Sequence, residues 1–497
     1  VNGDVDHQRA PLWETLTRYA QSGIYPFHTP GHKGGHFAPP ELREMIGARG
    51  LALDLPAMTA TDNTFHPTGC VRDAQRLASD LFGSAETFFL SAGSTLGVAA
   101  ALLAAVRPGE TVALPRNIHR SVVAGLVLSG AVPRFVPHGV LSECGALGVT
   151  PAALAEALDA KPQPAAVLLT RPSYYGLARE LADLVAVCRA RQVPLIVDEA
   201  HGAHLHFLPQ GSPAPALASG ADLVVQSCHK TLGSLVGSAQ LHVGRLSRVD
   251  AVAVQEALNF LQTTSPNYLM LASLDVMRRW MWKEGRQLFA QAVETARRLE
   301  QEIDAMPGLG VLRPERDPRL ADHRRDPQRL VVNVSGSGWT GYEVERHLRS
   351  KFQVEDEMAD WFNVVYVLSP RDDSAAEARL LAGLRSISES PRKTRDSNLP
   401  PADLSEARLH ELLQPPIPPM AMPPREAALA AKAAVSLASA AGRTSGEMVM
   451  FYPPGIPLLI PGEQVTQETI DVCRQLLAAG GNLYASDPTL ATVRVVA

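Results

Sequence analysis

The chain of 497 residues is 46% hydrophobic, 20% charged and 5% aromatic, which supplies large buried cores and about three folding units at usual domain sizes. Its formal charge of -5 offers no global basic field for nucleic acid or an acidic membrane surface, and the composition excludes fibrous and wholly disordered chains. Prolines number 39 against 37 glycines, above the usual share, so their placement bears on the architecture.

The N-terminus, VNGDVDHQRAPL, has no basic region followed by an apolar one, so no signal peptide is expected, and residues 1–60 read as an N-terminal arm or helical segment. Residues 61–265 form a large α/β domain in which apolar runs alternate with helical patterns. Strands are predicted at Thr87–Leu90, Thr111–Leu114, Ala165–Leu169, Pro194–Val197, Asp222–Gln226 and Ala239–Val243. These runs are continuous rather than alternating, as in a largely parallel sheet covered on both faces. Helices are predicted at Thr95–Val106, His119–Leu128, Ala152–Leu158 and Arg179–Arg191. The longest apolar run, Leu96–Val106, falls well short of the roughly 20 residues that span a bilayer.

Asn267–Ala305 is helical in pattern and free of proline apart from its flank, which suits a connecting helix. It opens a smaller α/β domain, 266–388, with strands at Leu330–Val334 and Val364–Leu368 around a helix at Gly341–Phe352. Pro391, Pro400, Pro401, Pro415, Pro416, Pro418, Pro419, Pro423 and Pro424 make 389–424 an extended connector, because proline fixes φ and lacks the N–H. A C-terminal domain, 425–497, opens with an alanine-rich helix predicted over Arg425–Ala441. Cys70, Cys144, Cys188, Cys228 and Cys473 are dispersed, which predicts thiols in a reducing compartment and a cytoplasmic protein.

In sheets of this kind ligands sit at the carboxyl ends of the strands, and four clusters stand there. Ser91–Ala92–Gly93–Ser94–Thr95 opens a helix whose N–H groups and hydroxyls suit an anion, although a glycine turn with a capping serine has the same appearance. Asp198–Glu199–Ala200–His201 follows a very apolar strand, where a buried acid must pair with a cation or an N–H donor. Ser227–Cys228–His229–Lys230 follows another, where a desolvated lysine can become a nucleophilic amine. His119, after Thr111–Leu114, can offer a flat ring to a planar ligand. A strand-end lysine is otherwise a solvated loop residue, and an acid there a helix cap. Together the clusters fit pyridoxal 5'-phosphate: an amine for its aldehyde, a carboxylate for its ring nitrogen and a helix start for its phosphate.

The rival reading is a metallohydrolase built on Asp198, His201, His204 and His206. Their spacing lacks the i, i+4 histidine pair of a zincin and leaves Lys230 without a role, so no metal is expected.

These residues resemble the Orn/Lys/Arg decarboxylases, bacterial basic amino-acid decarboxylases of the aspartate-aminotransferase fold (fold type I). The resemblance runs from Tyr25–Pro26–Phe27–His28–Thr29–Pro30–Gly31–His32–Lys33–Gly34–Gly35 to Tyr452–Pro453–Pro454–Gly455–Ile456–Pro457 and Pro461–Gly462–Glu463. It is strongest to the short forms without an N-terminal receiver-like domain. It implies that Lys230 is the Schiff-base lysine and that Ser94, Thr95, Ser227 and His229 hold the phosphate. By the same resemblance Asp198 pairs with the ring nitrogen, His201 lies beside the phenolic oxygen and His119 stacks on the ring. Thr264 and Ser265 fall where the family reaches the neighbouring subunit's phosphate, and Glu357 where it meets the substrate's distal cation. The expected enzyme is thus a homo-oligomer, at least a dimer with shared sites, acting on arginine or lysine, or on ornithine. An aminotransferase or lyase of the same fold would use the same cofactor residues. Two departures stand out: Arg120, where lysine is common, and Thr61–Asp62–Asn63–Thr64–Phe65–His66, near where specificity is set.

Overall fold

The computed structural model describes residues 5–141, 145–390, 412, 416–452, 455–478 and 480–497. The chain forms two compact units, one of residues 1–105, 192–207 and 214–287, the other of 106–191, 208–213 and 288–497.

In the first unit the strand Glu86–Leu90 runs antiparallel to Ala239–Val243, which runs antiparallel to Leu223–Gln226. Leu223–Gln226 in turn lies parallel to Leu195–Asp198. Two reversals restore direction, so Glu86–Leu90, Leu195–Asp198 and Leu223–Gln226 all end at one edge of this sheet. The helix Gly93–Ala105 packs on one face so closely that a Cβ at Gly97 would lie 2.7 Å from Val225 and 2.8 Å from Leu90. On the opposite face, Phe82 and the turn Ala203–Phe207 pack around His242 and His206.

The stretch Thr61–His66, the sequence's departure, is a structural loop. The Asp62 carboxylate accepts the backbone N–H groups of Thr68, Gly69 and Val71 at the start of helix Cys70–Phe82. Gln255 and Gln262 donate to the Thr64 carbonyl. The predicted long helix is present as Tyr268–Trp280, a π-turn Met281–Gly285 and Arg286–Asp304. At the π-turn, Gly285 lets the backbone approach Phe207, whose ring would lie 2.8 Å from a Cβ.

In the second unit Thr111–Leu114 lies parallel to both Val132–Phe135 and Ala166–Thr170. The predicted helix Arg179–Arg191 begins only at Ala182, because Leu177–Arg179 is a strand paired with His323–Arg325. Arg329–Asn333 and Asn363–Val367 are antiparallel neighbours, and Gly341–Phe352 starts on a capping box of Thr340 and Glu343. A separate core formed by Phe451, Leu459, Ile470, Leu476 and Val495 holds the C-terminal part.

Two expectations change there. The helix predicted over Arg425–Ala441 covers only Pro424–Leu429, and Lys432–Ser436 is a strand antiparallel to Thr492–Val496. Ala433 and Val435 alternate inward on that strand, so a long-range partner overrides alanine's helix propensity. Most of the proline connector, with Pro391, Pro400, Pro401 and Pro415, lies outside the described residues. Its end is not loose: Gln464 donates to the Pro419 carbonyl at 2.8 Å, and Ala421 donates to that of Gly462 at 2.8 Å. Pro453 and Pro454 also lie outside the described residues, whereas Pro457 sits in the strand Ile456–Leu459. Among the described residues no helix is long and apolar enough to cross a membrane.

Candidate active site

The shared edge of the first unit's sheet gathers most of the predicted residues. Asp198 closes its strand, 3% exposed, and its carboxylate accepts the N–H of Ala200 at 3.2 Å. Lys230 lies in the short helix Cys228–Thr231 that follows Leu223–Gln226, and its Nζ is 2.9 Å from His201 Nε2. That hydrogen bond needs a lone pair on one of the two nitrogens, so both cannot carry a proton on that line. His201 is buried and Lys230 half-buried, which places the amine at the rim of a desolvated floor.

The loop Gly237–Ser238 ties two clusters together. Gly93 donates its N–H to the Gly237 carbonyl at 2.7 Å, and His229 Nδ1 lies 2.8 Å from the Ser238 carbonyl. The helix start bearing Ser94 and Thr95 is thereby fixed beside the turn bearing His229 and Lys230. Gly93 has φ +73°, which makes the tight turn from strand to helix. Ser94 is half-buried and Thr95 exposed. The hydroxyls of Ser227 and of Thr231 four residues on are buried and have no hydrogen-bond partner among the described residues. Buried hydroxyls left so at a strand edge suit an anion with acceptor oxygens.

Residues 10–376 match the family model described as "Orn/Lys/Arg decarboxylase, major domain", and residues 407–482 match the C-terminal domain of the same family. The chain belongs to the Orn/Lys/Arg decarboxylase family. It is 36% identical to an arginine decarboxylase of Halalkalibacterium halodurans over 98% of both chains, and 35% identical to one of Bacillus subtilis over 99% of both. The solved structure of the Escherichia coli constitutive lysine decarboxylase has the same fold, with a TM-score of 0.82 at 20% identity over 99% of this chain and 82% of that one. This chain is therefore a decarboxylase of the Orn/Lys/Arg type, with the α/β architecture of the fold type I transferases.

The remaining predicted residues of this decarboxylase belong to other elements. Thr264 and Ser265 are exposed in the loop between helices Ala251–Leu261 and Tyr268–Trp280 of the first unit. His119 and Glu357 belong to the second unit. His119 is exposed and caps the helix Arg120–Ser129, its Nδ1 accepting the N–H of Ser121 at 3.2 Å. Glu357 is exposed, and its backbone pairs with Val365. Its neighbour Asp360 is structural: it accepts the Tyr175 hydroxyl at 2.6 Å and the N–H groups of Phe362 and Asn363.

Of the histidines of the metal reading, His206 meets Phe82 at a tilt and Phe207 edge-on, and burial pushes its ring down to about 4. Among the described residues no group of three or more ligand side chains could hold an ion.

The sequence reading missed two sets of buried polar partners. One is Arg116, whose guanidinium donates to the Glu463 carboxylate and the Pro457 carbonyl. The other joins Glu199, Gln226, His242 and Thr87 beneath the strand edge. The only sequence signal for the second is polar residues inside otherwise apolar strands.

The family's chemistry implies pyridoxal phosphate, and these residues fit it. Ser227 and the helix start suit a phosphate, Asp198 a protonated ring nitrogen, and the half-buried Lys230 an aldehyde.

Proposed function

We propose that this chain decarboxylates arginine to agmatine with pyridoxal 5'-phosphate as cofactor. The observation that carries the substrate is full-length identity of 33–36% to three named arginine decarboxylases, against 24% to the lysine enzyme of Escherichia coli over 78% of that protein. Bound pyridoxal phosphate supplies an electron sink for the pair left at Cα when CO2 departs. Lys230 would provide the amine that holds the cofactor. The Asp198 carboxylate would keep a proton on its ring nitrogen, and His201 orients the Lys230 amine. Ser94, Thr95, Ser227 and His229 anchor the phosphate. By family resemblance His119 stacks on the ring and Glu357 meets the substrate's distal cation.

We further propose an assembly of at least two chains, with Thr264 and Ser265 reaching the neighbour's phosphate. Phe27, Phe37 and Phe260 are 93%, 82% and 85% exposed, apolar surface that a second copy would cover. A cytoplasmic setting is supported by Cys70, Cys188, Cys228 and Cys473, which are buried and form no disulfide. Burial pushes the thiols of Cys70 and Cys473 up to about 11 and about 12.

The test is turnover of arginine, lysine and ornithine side by side by the purified protein supplied with pyridoxal phosphate. CO2 and agmatine, with the highest kcat/KM on arginine, are expected; a keto acid product would instead make it an aminotransferase. Lys230→Ala should abolish both turnover and the absorbance of the bound cofactor. Sedimentation at working concentration should give a dimer or larger.

A further inference from the structure

Beneath the strand edge lies a line of buried polar side chains that the reaction itself does not use. Glu199, Gln226, His242, Thr87 and Ser84 are at most 5% exposed; Thr87, His242 and Gln226 sit on three strands, Ser84 just before the first of them and Glu199 just after a fourth. The two Glu199 oxygens accept from the Ala216 N–H at 2.9 Å and from the Gln226 Nε2 at 2.7 Å. With its NH2 committed to a carboxylate, Gln226 presents only its oxygen to His242 Nε2, at 3.1 Å. His242 must therefore carry its proton on Nε2. Its Nδ1 then accepts from the Thr87 hydroxyl at 2.8 Å, and Thr87 accepts from Ser84 at 2.8 Å. Each donor determines the next, and the reverse order would set the Gln226 oxygen against the Glu199 carboxylate. Burial keeps the His242 ring neutral, pushing it down to about 3.

Glu199 follows Asp198 directly, and Gln226 precedes Ser227 and Lys230 by one and four residues. We infer that Gln226 is a positioning residue: the one-directional chain from Ser84 to Glu199 holds its amide in a single orientation and so keeps the Asp198 strand end in register with the Lys230 turn. This rests on the proposal that Asp198 and Lys230 serve the reaction.

The test breaks the chain at its far end. Thr87→Val keeps the shape, removes the hydroxyl and lies two strands away from Lys230. Isotope-labelled histidine NMR, with the His242 signal assigned by its loss in His242→Gln, should show the neutral Nε2–H tautomer in the wild-type protein with or without pyridoxal phosphate. Thr87→Val leaves His242 Nδ1 without its donor and frees the ring to move against Gln226, so it should lower kcat about tenfold while moving KM less than about twofold, the tautomer staying Nε2–H because Glu199 still commits the Gln226 NH2. Thr87→Ser should restore kcat. A wild-type Nδ1–H tautomer, or a folded Thr87→Val enzyme with unchanged kcat, overturns the inference. If Thr87→Val does not fold, the wild-type tautomer still decides. If the wild-type protein decarboxylates none of the three amino acids, the functional proposal fails while the tautomer measurement stands on its own.

Discussion

Arg116 and Glu463, 347 residues apart, meet as a buried ion pair, Arg116 Nη2 lying 2.9 Å from Glu463 Oε2. The guanidinium also donates to the Pro457 carbonyl at 2.9 Å and lies over the Phe135 ring, and Ile460 donates its N–H to the same carboxylate. The C-terminal Pro461–Gly462–Glu463 turn is thus bolted to the segment that leads into His119. Breaking one side leaves a buried charge without its partner. Glu463→Gln should lower stability by about 3–5 kcal/mol in denaturant titration. The double variant Arg116→Met, Glu463→Leu should lose less stability than the sum of its two single variants; a loss equal to that sum would show that the pair does not act as a unit.

Acid should weaken the first unit through two imidazoles, the buried His242 and the half-buried His206. Burial pushes His206 down to about 4 and His242 down to about 3, whereas an unfolded chain titrates near about 6.5. Above that value neither state binds the extra protons. As pH falls from about 6.5 towards about 4, only the unfolded chain takes them up, so stability drops. Calorimetric Tm should therefore decline over that interval. His206→Phe, placed between Phe82 and Phe207, should flatten the slope, and an unchanged slope would remove His206 from the account.

Gln240 is fully buried, and neither of its amide atoms has a hydrogen-bond partner among the described residues. Leaving such a group unpaired costs about 1–3 kcal/mol. Gln240→Met keeps the length and removes the polar atoms, so it should raise stability by an amount of that order. A lower Tm for this variant would mean that the amide is satisfied in solution.

Gly97 lets the helix Gly93–Ala105 seat against Val225 and Leu90. Gly97→Ala should force these groups apart at a cost of about 1–3 kcal/mol. The same shift moves the helix start that carries Ser94 and Thr95. Equilibrium dialysis should therefore show weaker binding of pyridoxal phosphate, and a variant that lost stability but kept full affinity would uncouple the helix from the phosphate.

Much of this architecture is legible because strands covered on both faces are apolar throughout. Thr111–Leu114, Ala239–Val243 and Gly341–Phe352 are read to the residue. What escaped depends on distant partners. Lys432–Ser436 carries alanines that favour helix until Thr492–Val496 pairs with it, and Leu177–Arg179 is a strand only beside His323–Arg325. The site divides in the same way. Asp198, Ser227 and Lys230 are visible because each follows an apolar run. Glu199, Gln226, His242 and Thr87 take on meaning only when the register aligns Thr87 with His242 and Gln226 with Gln240.

Translation order gives the Arg116–Glu463 pair a temporal side. At roughly 5–20 residues per second, Arg116 leaves the ribosome on the order of tens of seconds before its partner. During that interval its guanidinium has no counter-charge to receive it, and the segment ahead of His119 cannot take its final form. A nascent chain stalled upstream of residue 456 would carry that segment exposed. The segment ahead of His119 therefore gains its buried partners only after residues 457–463 have been made.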